Sequence, residues 1–271
     1  MFQEFKGIEI KAISSCVPKN TIKNSNFDYL FNEKEIKNFE KNVGIFERRW
    51  ADDSITSSDL GYYAAKSIVE SNEFDLKSVD ALIFLSQTSD YKLPFSSNLL
   101  QKKLNLNKDI LCLDVNAGCA GFVQGLSLAF SIAKSKEKSK VLLIIGETLS
   151  KVLSKNDKST SLLFGDGASA IYIHNSGNED VEMFSNVFSD GLNADAIIIP
   201  DGGSRNPFSL DSLIERKDEK GNVKNNLQIS MDGAKVFDFT LREVQDSIDS
   251  LLENSKTKKD SIDYFLLHQS N

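Results

Sequence analysis

"DILCLDVNAGCAGFVQG", Asp109 to Gly125, decides how the rest of the chain is read. Ile110–Val115 is a short apolar, β-rich run. Asn116–Ala117–Gly118 turn the chain, and Phe122, Leu126, Ala129, Phe130 and Ala133 then recur at helical spacing. Cys119 stands where that helix begins, read as its first position. There it meets unsatisfied backbone N–H groups and the positive end of the helix dipole. Both favour thiolate over thiol. The small neighbours Ala117, Gly118, Ala120 and Gly121 allow a sharp bend and the close approach of a reactant, and the same N–H groups could hold an oxyanion. The competing reading is a buried cysteine acting as a small hydrophobe. Cys16 and Cys112, inside apolar runs, take that reading; the collar of small residues and the helix start give Cys119 the functional one.

Outward from this unit, strands and helices alternate. Apolar runs at Ile8–Ile13, Ala81–Leu85, Val141–Ile145, Ala168–Ile173 and Tyr264–Leu267 predict further strands. A helix is predicted from a cap at Ser57, Ser58 or Asp59 to about Val69. Another spans about Gly233–Leu252, with Val236, Phe237, Leu241, Val244, Ile248 and Leu251 on one face. Continuous apolar strands separated by helices predict a mostly parallel sheet covered on both faces. "FGDGASAIYIH" carries Asp166-Gly167 between apolar runs, a hairpin signal. Asp201–Asn226, polar and aperiodic, predicts a long surface excursion.

"SVDALIFLSQTS", Ser78–Ser89, is echoed by "SIDYFLLHQSN", Ser261–Asn271. Each follows a long amphipathic helix and a Lys-containing linker. The echo predicts a duplicated fold, with one half over residues 1–175 and a second over 176–271. The first half runs on from Ser86 through Cys119 to Ile173. The second stops at Asn271, so about 80 residues of it are expected to be wanting by analogy with the first.

A chain of 271 residues can bury a sizeable core, and 40% hydrophobic with 26% charged residues is the composition of a soluble globular protein. A net charge of −7 argues against a general nucleic-acid binder. The local cluster of Lys151, Lys155 and Lys158 reads as solvated surface. Three cysteines with no C-x-x-C and no metal-ligand spacing suit a reducing cytosol. The first residues lack the pattern of a signal peptide, and "VLLIIG" at Val141–Gly146 is far too short to span a bilayer. A cytoplasmic protein is expected.

There are two histidines. His268 is predicted to end a strand, where ligands collect in open α/β sheets. His174 opens the polar stretch "NSGNED" and reads as surface. A parallel fold can bring Cys119 and His268 to one sheet edge.

"DVNAGCAGF", "FGDGASA", "VGIFERR" and "HQSN", in this order and spacing, resemble the β-ketoacyl-acyl-carrier-protein synthase III family, and "VPKNTIKN" resembles its entry motif. The similarity covers Ile8 to Asn271. It implies a thiolase-like fold, five layers α/β/α/β/α built from two duplicated halves. It also implies a two-step reaction. Cys119 takes an acyl group from a thioester primer, and the acyl-enzyme condenses with a malonyl thioester on acyl carrier protein, losing CO2. His268 matches the histidine that stabilises the resulting enolate. The family's catalytic asparagine lies in a Gly-Asn-Thr-Ser loop that this sequence does not contain, and Asn271 is not that residue. Leu93 matches a position that reaches the partner's acyl pocket in the family homodimer. Phe164 matches an aromatic beside the nucleophile, with ordinary core packing as the alternative. Lys158 matches an arginine near the coenzyme, keeping the charge without the forked donor geometry. "EIKNFEKNV" has neither the Trp nor the Arg that coenzyme A-using members often place there, which leaves room for a carrier-bound primer. The implied partners are acyl carrier protein, an acyl thioester and a second subunit; no cofactor or metal is implied, coenzyme A or carrier thioesters being substrates.

Three rivals are open. One is an acyltransferase of the same fold acting on an amine or hydroxyl. The second is a cysteine hydrolase, whose Gly-x-Cys-x-Gly elbow is imperfectly met because Ala117 stands in place of the first glycine. The third is an inactive fragment or partner subunit.

Overall fold

The computed structural model describes residues 1–72 and 74–268. In chain order the principal elements are β1 (Phe2–Cys16), β2 (Thr21–Lys23), α1 (Glu33–Val43), β3 (Glu47–Arg49), α2 (Ser57–Asn72), β4 (Ala81–Leu85), α3 (Ser96–Lys103), β5 (Leu111–Val115), α4 (Gly121–Lys134), β6 (Lys140–Glu147), β7 (Gly167–Asn186) and α5 (Gly233–Ser255). Five strands form one sheet in the order β1-β7-β6-β4-β5.

The pleat sorts the apolar runs between two cores. Leu82, Phe84, Leu142, Ile144, Ala170 and Tyr172 face one way and pack on Ala64, Ala65 and Ile68 of α2. Ala81, Ile83, Val141, Leu143, Ile171 and Ile173 face the other way and pack on Ala129, Phe130 and Ala133 of α4. The result is a helix–sheet–helix sandwich with β4 buried along its whole length. Thr56 and Asp59 exchange hydrogen bonds across the first turn of α2, so the cap is Thr56, one residue before the first of the predicted candidates Ser57, Ser58 and Asp59. The α4 face is small near its start. A Cβ on Gly121 would lie 2.6 Å from Leu85 Cδ2, so only glycine lets the helix sit this close to the sheet. Phe122, placed by its spacing on the buried face, is instead half exposed.

Several expectations change. The sheet is mixed: β4 is parallel to β5 and β6, but β7 runs antiparallel to both β6 and β1. The link from β6 to β7 contains a short 3-10 turn at Leu149–Val152 and no crossover helix, so the chain reverses. Asp166-Gly167 is not a hairpin turn, because no strand immediately precedes it. Asp166 instead accepts hydrogen bonds from the Ala51 and Ser150 amides at 2.7 and 2.9 Å. β7 also runs past His174, across residues 175 and 176, to Asn186.

The 201–226 excursion is irregular, with a 3-10 turn at Leu210–Leu213 and a two-residue ladder between Arg216–Lys217 and Val223–Lys224. It is pinned to the β6–β7 link: Val223 N donates to Asn156 O, Ser154 Oγ to Val223 O, and Lys158 N to Asn222 Oδ1. α5 is capped by Asp232 and touches the end of β7, where Asn186 Nδ2 donates to Ser250 Oγ at 3.0 Å, yet none of its side chains is buried. Tyr264–Leu267 is not a strand among the described residues; it is irregular and exposed. A strand exists through its ladder partners, and no described strand pairs with this one. Gln269, Ser270 and Asn271 of the "HQSN" motif lie outside the described residues.

Candidate active site

β4 and β5 end together, Leu85 opposite Val115, while β6, whose Ile145 also faces Leu85, runs two residues further to Glu147. The segments that leave β4 and β5, Ser86–Thr88 and Asn116–Cys119, and the end of β6, Gly146–Thr148, therefore lie at one sheet edge, and Ser86 N donates to Val115 O at 3.0 Å.

Glu147 ties this edge together. Its Oε1 accepts from Gln87 N and its Oε2 from Thr88 Oγ1, both at 2.7 Å. Thr88 Oγ1 in turn accepts from Thr148 N at 2.8 Å. Burial pushes the Glu147 carboxyl above the ordinary value of 4.5, against the opposing pull of the hydrogen bonds from Thr88 and Gln87.

Cys119 lies in the turn that opens α4, where Gly121 N closes onto Gly118 O at 2.7 Å. The helix starts at Gly121, so Cys119 sits two residues before the first helical position rather than on it. Ala120 is the N-cap and offers no side-chain acceptor, which leaves first-turn N–H groups directed toward this turn. Cys119 is the exposed one of the three thiols; Cys16 and Cys112 are partly covered. Burial raises both of those thiols, and Asp114 adds to the shift at Cys112. Cys16 and Cys112 thus behave as structural residues, and Cys119 is the accessible nucleophile candidate.

The remaining predicted site residues scatter. Leu93 is 83% exposed, in the loop between β4 and α3, before a cis proline. Lys158 Nζ pairs with Glu35 Oε1 at 2.8 Å and lies over the Phe31 ring, so it is anchored on the first turn of α1. Phe164 packs against the cluster of Phe27, Trp50, Leu153, Leu162 and Ile229, and its carbonyl accepts from Trp50 Nε1. His268 is exposed on the irregular 264–268 segment, not at a strand end, and among the described residues nothing joins it to Cys119. His174 lies within β7 opposite Glu9 and Lys140; burial and then the Lys140 charge lower its pKa. Gln87 and Glu147 were not singled out from the sequence. Their signal was position, each at or just past the C-terminal end of a predicted parallel strand.

Beside the nucleophile turn, a groove of about 680 Å³ runs between α4, the end of β7 and α5, with Ala120, Val123, Val187, Phe239, Val244 and Ile248 among its lining.

The sequence profile of the family 3-Oxoacyl-[acyl-carrier-protein (ACP)] synthase III matches residues 113–191, which hold the Cys119 turn, α4, β6 and all of β7. The chain is 33% identical to a putative 3-oxoacyl-[acyl-carrier-protein] synthase 3 of Campylobacter jejuni, over 100% of its own length and 77% of that protein's. The chain belongs to the 3-oxoacyl-[acyl-carrier-protein] synthase III family. A second member, beta-ketoacyl-[acyl-carrier-protein] synthase III 2 of Staphylococcus epidermidis, is 33% identical over 97% of this chain and 76% of its own. Among solved structures, a 3-oxoacyl-(acyl-carrier protein) synthase from Burkholderia xenovorans superposes with a TM-score of 0.91 at 34% identity, covering 100% of this chain and 76% of that one. The thiolase-like fold of these synthases is therefore this chain's fold. No helix among them is long and apolar enough to cross a membrane.

Proposed function

We propose that this chain is a decarboxylating carbon–carbon condensing enzyme that joins an acyl thioester primer to malonyl-acyl carrier protein. The observation that carries the reading is Cys119. In a chain of this family it is the exposed thiol, presented on a turn of small residues at the end of a parallel strand. Its sulfur attacks the thioester carbonyl; the new bond is Cys119 Sγ–C, and the bond to the carrier sulfur breaks, releasing a thiol. Malonyl thioester then loses CO2, and the electron pair of that bond becomes an enolate that attacks the acyl carbonyl. The Cys119 Sγ–C bond breaks and the thiol is regenerated.

In this reading His268 stabilises the enolate, Leu93 enters the partner's acyl pocket in a homodimer, Phe164 lies along the acyl path, and Lys158 receives the acidic carrier or coenzyme. The Lys158–Glu35 pair is exposed and so weak enough to exchange for a ligand phosphate. Residues 1–175 and 176–271 form the two thiolase-like halves, the enzyme works in the cytoplasm, and it needs no cofactor beyond its thioester substrates.

Intact-mass spectrometry with an acyl thioester tests the first step. The protein should gain one acyl group and Cys119→Ala none; a gain on the variant overturns the reading. CO2 release from malonyl carrier tests the second. Acylation without CO2 release assigns the chain to acyl transfer onto an amine or hydroxyl instead.

A further inference from the structure

Gln87 has its backbone fixed and its side chain free. Its N–H is held by Glu147 Oε1, and the residues on either side are held by Val115 O and by Glu147 Oε2. The side chain leans across the nucleophile turn. A Cβ built on Gly118 would lie 2.8 Å from Gln87 Oε1 and 3.2 Å from Nε2. The amide therefore occupies the space a side chain would fill at the residue preceding Cys119. It is exposed and makes no hydrogen bond among the described residues, although the backbone around it is held by Glu147 and Thr88. The Cys119 N–H is likewise unbonded among them. Whichever way the amide is turned, its polar end faces this turn.

We infer that Gln87 is a substrate-facing residue: its side-chain N–H donates to the carbonyl oxygen of the acyl group that Cys119 attacks, and Glu147 is the residue that positions it. The inference rests on the reading of Cys119 as the acyl-accepting nucleophile. An amide with a fixed backbone needs little reorganisation as charge develops on that oxygen. Gly118 is required because any side chain there would displace the amide.

The test compares two reagents at Cys119, followed by peptide mass. p-Nitrophenyl acetate is attacked at a carbonyl, whereas methyl methanethiosulfonate is attacked at sulfur and carries no carbonyl. The ratio of the two rates reads carbonyl stabilisation independently of thiol reactivity. Gln87→Leu, similar in size but without the amide, should lower this ratio about tenfold, the value of one hydrogen bond. Gln87→Glu, which offers no N–H, should lower it too and serves if the leucine variant fails to fold. Glu147→Gln should lower it by a smaller factor, because one of its two acceptor oxygens is lost. An unchanged ratio in Gln87→Leu or Gln87→Glu overturns the inference. A parallel arm uses acetyl-coenzyme A and acetyl-acyl carrier protein. If the unaltered chain takes no acetyl group from either while the ratio still falls, the condensing function fails and Gln87 stands. If acetylation proceeds and the ratio does not move, Gln87 falls and the function stands.

Discussion

Leu82, Ile83 and Phe84 of β4 are fully enclosed, whereas Leu241 of α5 is 66% exposed and Leu266 94% exposed. The residue types are the same and both segments are apolar by pattern. β4 lies between two parallel neighbours and two helices; α5 meets the end of β7 at Ser250, and Tyr264–Leu267 has no ladder at all among the described residues. Hydrophobic pattern states what a segment would bury, and burial itself depends on what stands opposite. The nucleophile belongs to the first kind of region. Cys119 is exposed, yet the turn that carries it is set by Leu85 against Gly121 and by Glu147 across the strand ends.

The sharpest test of this contrast is at the sulfur. Cys119→Ala should remove acyl-enzyme formation by many orders of magnitude while leaving the thermal midpoint nearly unchanged, because no core contact is lost; a fall of several degrees would mean the turn depends on the thiol. Next comes the enclosed strand. Phe84→Ala should cost about 3–5 kcal/mol in urea unfolding, since a buried aromatic leaves a cavity between sheet and α2. Gly121→Ala should cost about 1–3 kcal/mol, because Leu85 is itself buried and cannot yield; a cost near zero would show that α4 can lift from the sheet.

Glu147 supplies a pH signature. Its folded pKa is raised, so the native state holds the proton more tightly than the unfolded chain. Its contribution to stability therefore falls as pH rises from the ordinary value of 4.5 through the raised one. Comparing unfolding free energy against pH for the unaltered chain and Glu147→Gln should show that slope vanish in the variant. An identical slope in both would assign it to other groups. The smallest effect belongs to the open region: Leu241→Ala should change stability by less than about 0.5 kcal/mol. A cost like that of Phe84→Ala would mean the α5 face is covered in solution.

Five of the six predicted strands hold, β4 to the residue, and so do three predicted helices. These runs were legible because each is a long period flanked by turn residues. α1 and α3 were missed: α1 is bounded by the Asn32–Glu35 capping box and Gly44, and α3 is eight residues long, with Leu100 buried in the core between the sheet and α2. The antiparallel β7 was misread because an apolar strand looks alike in either direction, and direction is set by the link that precedes it. In the site, Cys119 could be found from its collar of small residues. Gln87 and Glu147 could not, because an ordinary glutamine and glutamate reach the Cys119 turn only through the register of three parallel strands. The role expected of Phe164 met the competing one, packing on Trp50 and Phe27, which depends on residues more than a hundred positions away.

From the sequence alone follow the family, the candidate nucleophile, the strand–turn–helix that presents it and the reading of the other two thiols as packing residues. All rest on local chemistry: side-chain period, residue size at a bend, and the types that surround a sulfur. The tertiary structure decided the mixed direction of the sheet, the start of α4 two residues after Cys119, the Glu147 clamp and the placement of Gln87 over Gly118. Those depend on register between strands far apart in the chain, which no local pattern encodes.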